Sequence, residues 1–174
     1  MMVVGKSLLY LHKQEMAMEE KILSTKIRVY SYNELTDTRK KLVELAREAT
    51  RRAYAPFSKF NVGAALLLGN GEIVTGSNQE NVAFPSGTCA ERTTVFYASS
   101  RYPGVPFEKL AIAAWHDGDF VETPTAPCGA CRQAILEYET LGGKPIEIIL
   151  CGRNEVYVVE DGIKALLPLC FDKF

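Results

Sequence analysis

Between residues 36 and 53 the apolar side chains Leu42, Leu45 or Ala46, Ala49 and Ala53 recur three or four positions apart, as on one face of a helix. Thr36 or Asp37 can cap its start, and Pro56 stops it. The pattern then changes. Val62 to Leu68 is an unbroken apolar run, Gly69-Asn70-Gly71 supplies a hairpin turn, and Ile73 to Gly76 resumes as a strand. A strand without polar alternation is one covered on both faces. Thr88 opens a helical stretch to about Ser99, and Leu110 to Trp115 reads as another buried strand. Gly129 to Leu141 forms a helix closed by Gly142-Gly143. Ile146 to Leu150 and Val156 to Val159 complete five strands, and a last short helix, Gly162 to Leu167, stops at Pro168.

The resulting order, α-β-β-α-β-α-β-β-α, predicts an α/β fold in three layers, with a mixed five-stranded sheet between helices. A chain of 174 residues, 47% of them apolar, can bury one core and is too short for two. Residues 1–30 carry no motif and read as an N-terminal extension, with residues 31–174 as the folded domain. Met16 and Met18 mark alternative starts for translation. The apolar stretch Leu8 to Leu11 is too short for a signal or a membrane span.

Twenty basic residues nearly cancel 21 acidic ones, for a net charge of −1, which leaves no footprint for nucleic acid. The five cysteines are an odd number, and three of them fall in two short motifs. A disulfide framework is therefore not expected, and a reducing, cytoplasmic setting is.

Those motifs are Thr88-Cys89-Ala90-Glu91 and Pro127-Cys128-Gly129-Ala130-Cys131. Each opens a predicted helix, where the positive end of the helix dipole stabilises thiolates. Three thiolates can hold one Zn²⁺ and leave a fourth position open for water, with Glu91 close by for proton transfer. Cys128-x-x-Cys131 taken alone also fits a redox pair, half of a structural zinc knuckle, or two idle helix cysteines. Glu91 has its own alternative, since Thr88-x-x-Glu91 matches a capping box. Both motifs together, with Pro127 before the second, match the signature of zinc deaminases, except that Cys89 stands where that signature carries His. Three thiolates leave the site with net charge −1, so compensating cations are expected. Arg92 and Arg132 each follow a motif residue and are candidates to donate to the ligand sulfurs, or else are solvated helix residues. Cys151 and Cys170 read as core thiols, because a fourth thiolate would close the site.

Four stretches carry a resemblance to the small, zinc-dependent cytidine deaminases: Tyr54 to Ala65, Gly76 to Asn81, Cys89 to Thr93, and Pro127 to Gln133. The likeness runs from about Tyr30 to the C-terminus. It implies a cytidine deaminase-like fold, a homotetramer, one zinc per chain on Cys89, Cys128 and Cys131, and Glu91 as the proton carrier. It also implies a nucleoside substrate, cytidine or 2′-deoxycytidine, hydrolysed to the uracil nucleoside and ammonia. Asn78 and Glu80 would then hydrogen-bond the ribose, Phe60 would pack on the pyrimidine beside Ala90, and Phe171 would do so across a subunit boundary. Each of these has a plainer alternative as a polar turn or core residue. Phe84 stands where the family commonly has tyrosine, and the segment before Tyr30 has no family counterpart. Rival functions are deamination of a cytosine-bearing nucleoside antibiotic or a nucleotide, and a non-enzymatic zinc module.

Overall fold

A computed structural model describes residues 18–173. Most of the segment set apart as an extension, residues 1–17 with Leu8 to Leu11 and Met16, lies outside the described residues; residues 18–27 form neither helix nor strand. Three helices and seven strands follow: β1 (Arg28–Ser31), α1 (Asp37–Ala49), β2 (Asn61–Leu68), β3 (Ile73–Ser77), α2 (Ala90–Arg101), β4 (Phe107–His116), β5 (Asp119–Phe120), α3 (Gly129–Gly142), β6 (Glu147–Cys151) and β7 (Glu155–Val159). The sheet is ordered β1-β7-β6-β4-β2-β3, with β5 paired to the end of β4.

The expected three-layer mixed sheet is present, with seven strands in place of five. The two strands not anticipated are β1, a short edge strand antiparallel to β7, and the two-residue β5. The sheet thus begins at Arg28, inside the segment read as an extension. The expected helix at Gly162 to Leu167 is a single 3-10 turn, Ile163–Leu166. The first helix is capped by Thr36, whose hydroxyl accepts from the Arg39 amide, and it closes at Ala49 with a 3-10 turn, Thr50–Arg52, beyond it.

Alternation along each central strand sorts its side chains between two cores. Ala64, Leu66, Leu110, Ile112, Ile148 and Leu150 face α2 and α3, packing with Val95, Ala98, Ile135 and Leu136. Ala65, Ala111, Ala113, Ile149 and Cys151 face α1, against Leu42, Val43 and Ala46. Both faces are covered, which is why these strands read as continuous apolar runs. At about 1.5 to 3 kcal/mol for each fully buried large aliphatic side chain, these two cores supply most of the drive to fold.

Strand direction sets the position of the site. β3 is antiparallel to β2, and β2 is antiparallel to β4, so β3 and β4 run the same way. β4 and β6 are parallel, with Lys109 opposite Glu147 and Ala113 opposite Cys151, and α3 crosses between them. Helices α2 and α3 therefore both start at the carboxyl end of the sheet, where ligand sites in α/β folds gather.

Candidate active site

Two helix N-termini converge on three sulfurs. Cys89 is the N-cap of α2 and Cys128 the N-cap of α3, both with extended backbone and neither making a side-chain capping hydrogen bond. Cys131 lies in the first turn of α3 and is fully buried. The depth of α2 depends on Gly76 in β3: a Cβ there would stand 2.5 Å from Thr94 Oγ1 and 3.3 Å from the Ala90 carbonyl oxygen. Its absence lets the first turn of α2 settle against the strand.

The three sulfurs lie within 4.8 Å of one another, and those of Cys128 and Cys131 are 3.5 Å apart. Thiolates at zinc–sulfur distances of about 2.3 Å around a tetrahedral ion stand about 3.8 Å from each other, so the donor set fits zinc. It is the only such cluster among the described residues. The Cys89 thiol is pulled down to about 5, first by a hydrogen bond from Cys131 and then by Arg92, against the opposing effect of burial. Cys131 is pushed the other way, by its bond to Cys89 and by burial, so Cys89 gives up its proton before Cys131 does.

Arg92 Nη2 donates to Cys89 Sγ at 3.7 Å, as expected of a compensating cation. Arg132 does not reach the sulfurs. Its Nε donates to the Pro127 carbonyl at 2.8 Å and its Nη1 to the Leu166 carbonyl at 2.5 Å, so it braces the residue before Cys128. Glu91 is 5% exposed, and burial, reinforced by the nearby Cys89 thiolate, raises its pKa above the usual carboxylate range. The capping-box alternative for Glu91 does not hold. Thr88 exchanges backbone hydrogen bonds with Gln79, 2.9 Å each way, so α2 starts one residue later and Glu91 is not three residues from the cap.

A cavity of about 700 Å³ opens onto this cluster. Cys89, Glu91, Arg92, Cys128, Phe60, Asn78 and Glu80 all line it. The Asn78 side chain bridges two backbone groups at the start of β2, accepting from Val62 N at 2.8 Å and donating to the carbonyl of Phe60, just before the strand, at 2.9 Å. It thereby fixes Phe60, whose ring also rests 5.5 Å from that of His116. Each group of the Asn78 amide keeps one further hydrogen-bonding site. Glu80 accepts from the amides of Phe57 at 2.8 Å and Ser58 at 3.3 Å, and from the Ser58 hydroxyl. These bonds, that of the Ser58 hydroxyl foremost, hold its pKa low. Ala90 is fully buried between Cys89 and Glu91, its carbonyl accepting from Thr94 Oγ1 at 2.7 Å. Phe171 stands apart from the cavity, 64% exposed, with its carbonyl accepting from Gln133 Nε2.

Phe57, Ser58, Thr125 and Ala126 also line the cavity and were not singled out from the sequence. Ser58 carried a usable signal, since it falls in the Tyr54 to Ala65 stretch. Thr125 and Ala126 carried none beyond proximity to Cys128.

A three-layer α/β domain with three thiolate donors at two helix starts, and a buried carboxylate in the adjoining cavity, defines a zinc-dependent hydrolase of the deaminase class. Comparison with known proteins agrees. Residues 36–141 match the family model for the cytidine and deoxycytidylate deaminase zinc-binding region. The chain is 43% identical over 135 residues to the cytidine deaminase of Sporosarcina psychrophila, an alignment covering 76% of this chain and 90% of that one. It is 41% identical over 133 residues to the cytidine deaminase of Halalkalibacterium halodurans, covering 76% and 93%. Among solved structures, cytidine deaminase from Burkholderia pseudomallei superposes with a TM-score of 0.65 at 38% identity, covering 79% of this chain and all of the other. The chain belongs to the cytidine and deoxycytidylate deaminase family.

Proposed function

We propose that this chain hydrolyses cytidine and 2′-deoxycytidine to uridine and 2′-deoxyuridine with release of ammonia, a step of pyrimidine salvage. The observation that carries the reading is the buried Glu91 carboxylate in the same cavity as the cysteine trio, with no capping role to explain it. Cys89, Cys128 and Cys131 would hold the zinc, which would supply the Lewis acidity that eases the ionisation of water at neutral pH. Glu91 accepts the proton given up by the attacking water, and its raised pKa suits it to hold that proton briefly. As the oxygen bonds to C4, Glu91 passes the proton to ring N3. It then carries the remaining proton of the added hydroxyl to the amino group, and the C4–N bond breaks. One water is consumed, and the products are the uracil nucleoside and ammonia. Arg92 offsets the surplus negative charge of the thiolates, while Arg132 holds the Pro127 carbonyl.

The cavity favours a neutral nucleoside over a nucleotide. Among the described residues its one basic lining residue, Arg92, is turned to Cys89, and the carboxylate of Glu80 stands beside Asn78 where the sugar is to be read. Beyond them, Phe57 and Phe84 meet edge to face, with ring centres 6.0 Å apart. A 5′-phosphate would find no unengaged cation among the described lining residues. On this reading Asn78 and Glu80 bind the 3′-hydroxyl and Phe60 packs on the base over Ala90.

The same reading makes the enzyme a cytoplasmic homotetramer whose catalytic domain begins at Arg28, with the preceding residues as an extension. Apolar side chains that a lone chain leaves in water support the assembly: Phe96 and Tyr97 on α2, with Val82 and Phe84 beside the cavity, are all exposed. Phe171 would reach a neighbour's cavity, which accounts for its distance from its own. No helix among the described residues is long and apolar enough to cross a membrane.

The deciding experiment measures steady-state rates on cytidine, 2′-deoxycytidine, cytosine and cytidine monophosphate side by side. Both nucleosides should be consumed readily. Cytosine should be poor, because binding of the sugar is what holds the ring in place. A preference for the monophosphate or for free cytosine would overturn the nucleoside assignment.

A further inference from the structure

Helix α1 lies on the face of the sheet opposite the cysteines, yet its Arg47 reaches the structure that holds the loop leading to Cys128. Arg47 Nη2 donates to two carbonyls of the β6–β7 turn, Gly152 at 2.7 Å and Arg153 at 3.1 Å. Its guanidinium carbon stands 4.8 Å from the centre of the Phe120 ring, at the start of the same loop. The turn in turn grips that loop. The Arg153 amide donates to the Val121 carbonyl at 2.8 Å, and Arg153 Nε pairs with Asp119 at 3.0 Å. Gly152 fits so closely that a Cβ would come within 2.5 Å of the Glu122 carbonyl oxygen and 3.0 Å of Pro124 Cδ. From Pro124 the chain runs through Thr125 and Ala126, which wall the cavity, to Cys128.

We propose that Arg47 is a positioning residue for the metal site. It clasps the β6–β7 turn to Phe120 and so fixes the entry of residues 121–127, as Arg132 fixes their exit. The inference rests on the zinc reading above. Arg47 Nε is buried without a hydrogen-bond partner among the described residues. An arginine kept half-buried at that cost serves a geometry that a solvated side chain would not provide. Cys128 is the most exposed of the three ligands, so it depends most on the path of the loop that delivers it.

The test uses the zinc-loaded full-length protein and follows release of zinc to a chromophoric chelator, well below the unfolding temperature. Arg47→Gln should release zinc about tenfold faster, at the low end of the effect of removing groups that orient metal ligands. Gly152→Ala, which pushes the same loop from the turn side, should do likewise and serves if Arg47→Gln folds poorly. Arg39→Gln supplies the contrast. Arg39 lies on the same helix and binds Glu147 and Glu160 at the other end, so its loss should lower thermal stability and leave release unchanged. Parental release rates for Arg47→Gln and Gly152→Ala, or equal acceleration by Arg39→Gln, would overturn the proposal. A parent protein that binds no zinc would overturn the site reading as well, and the two failures are told apart by metal analysis of the parent.

Discussion

Replacing Glu91 with Gln separates proton transfer from every other property of that side chain. The two are nearly isosteric, and Glu91 caps nothing that Gln would uncap, because α2 is capped at Cys89. General acid–base catalysis is worth about 10² to 10⁴ in rate. The upper end applies here, since Glu80, the other carboxylate lining the cavity, is tied to the backbone of Phe57 and Ser58 and has a lowered pKa. Among the described residues lining the cavity, no second carboxylate is in place to take over. A loss of about 10⁴ raises the barrier by about 5 kcal/mol at 1.36 kcal/mol per decade. Stability should move the other way. A carboxylate whose pKa is raised by folding costs stability at every pH above its unfolded value, so the neutral amide should melt no lower than the parent at pH 7. The assay is ammonia release from cytidine, alongside metal content and thermal melting. Deamination within tenfold of the parent rate by a zinc-loaded Glu91→Gln protein would refute the role given to Glu91. Loss of zinc or of folding would show instead that the carboxylate is structural.

Cys128→Ser should bind far less than one zinc per chain, yet its metal-free form should be more stable than the metal-free parent by about 1 kcal/mol, because serine is a good N-cap. Denaturant melts in chelator check this, and full zinc retention by the serine variant would remove Cys128 from the ligand set. Arg92→Gln removes a hydrogen bond and a positive charge that help to lower the Cys89 pKa, so that pKa should rise. Zinc binding must displace thiol protons, and the pH below which metal is lost should climb by about one unit, the low end for losing a nearby opposite charge. Zinc content measured after equilibration across pH 4 to 8 reads the shift directly.

The parts of this protein legible in its sequence are those whose signal is local. Unbroken apolar runs marked β2, β4 and β6 because both of their faces are covered. β1 escaped notice because it is an exposed edge strand of four residues that exists through its pairing with β7, more than 120 residues away. The start of α2 was misplaced by one residue for a similar reason. Thr88 is the better N-cap by type, but its amide and carbonyl are taken by Gln79, a pairing that only the tertiary fold supplies. The cysteine spacing, Glu91 and Arg92 could be found because ligands at helix starts must fall at fixed offsets. Arg132 looked equivalent to Arg92 in sequence, yet its nearest acceptors are the carbonyls of Pro127 and Leu166. Arg47 resembled any solvated helix residue, since its partners lie more than 100 residues along the chain.

The use of cysteine at both N-caps ties the chemistry to the fold. An N-cap side chain projects across the open amides of the first helical turn, and serine, threonine or aspartate there would contribute about 1 kcal/mol by accepting from one of them. Cys89 and Cys128 make no such bond. What they gain is the electrostatic field of the helix end, equivalent to about half a positive charge, at each of two sulfurs that must be anionic to bind metal. That field can act twice on one ion because β3 and β4 run the same way and place both helix starts at one end of the sheet. Had α2 followed an oppositely directed strand, its N-terminus would lie at the far end of the sheet, some four or more residues of strand away, at about 3.3 Å for each residue. The like direction of β3 and β4 is therefore a condition for the site, and Gly76, by letting α2 approach β3, sets the depth of Cys89 and Glu91 within it.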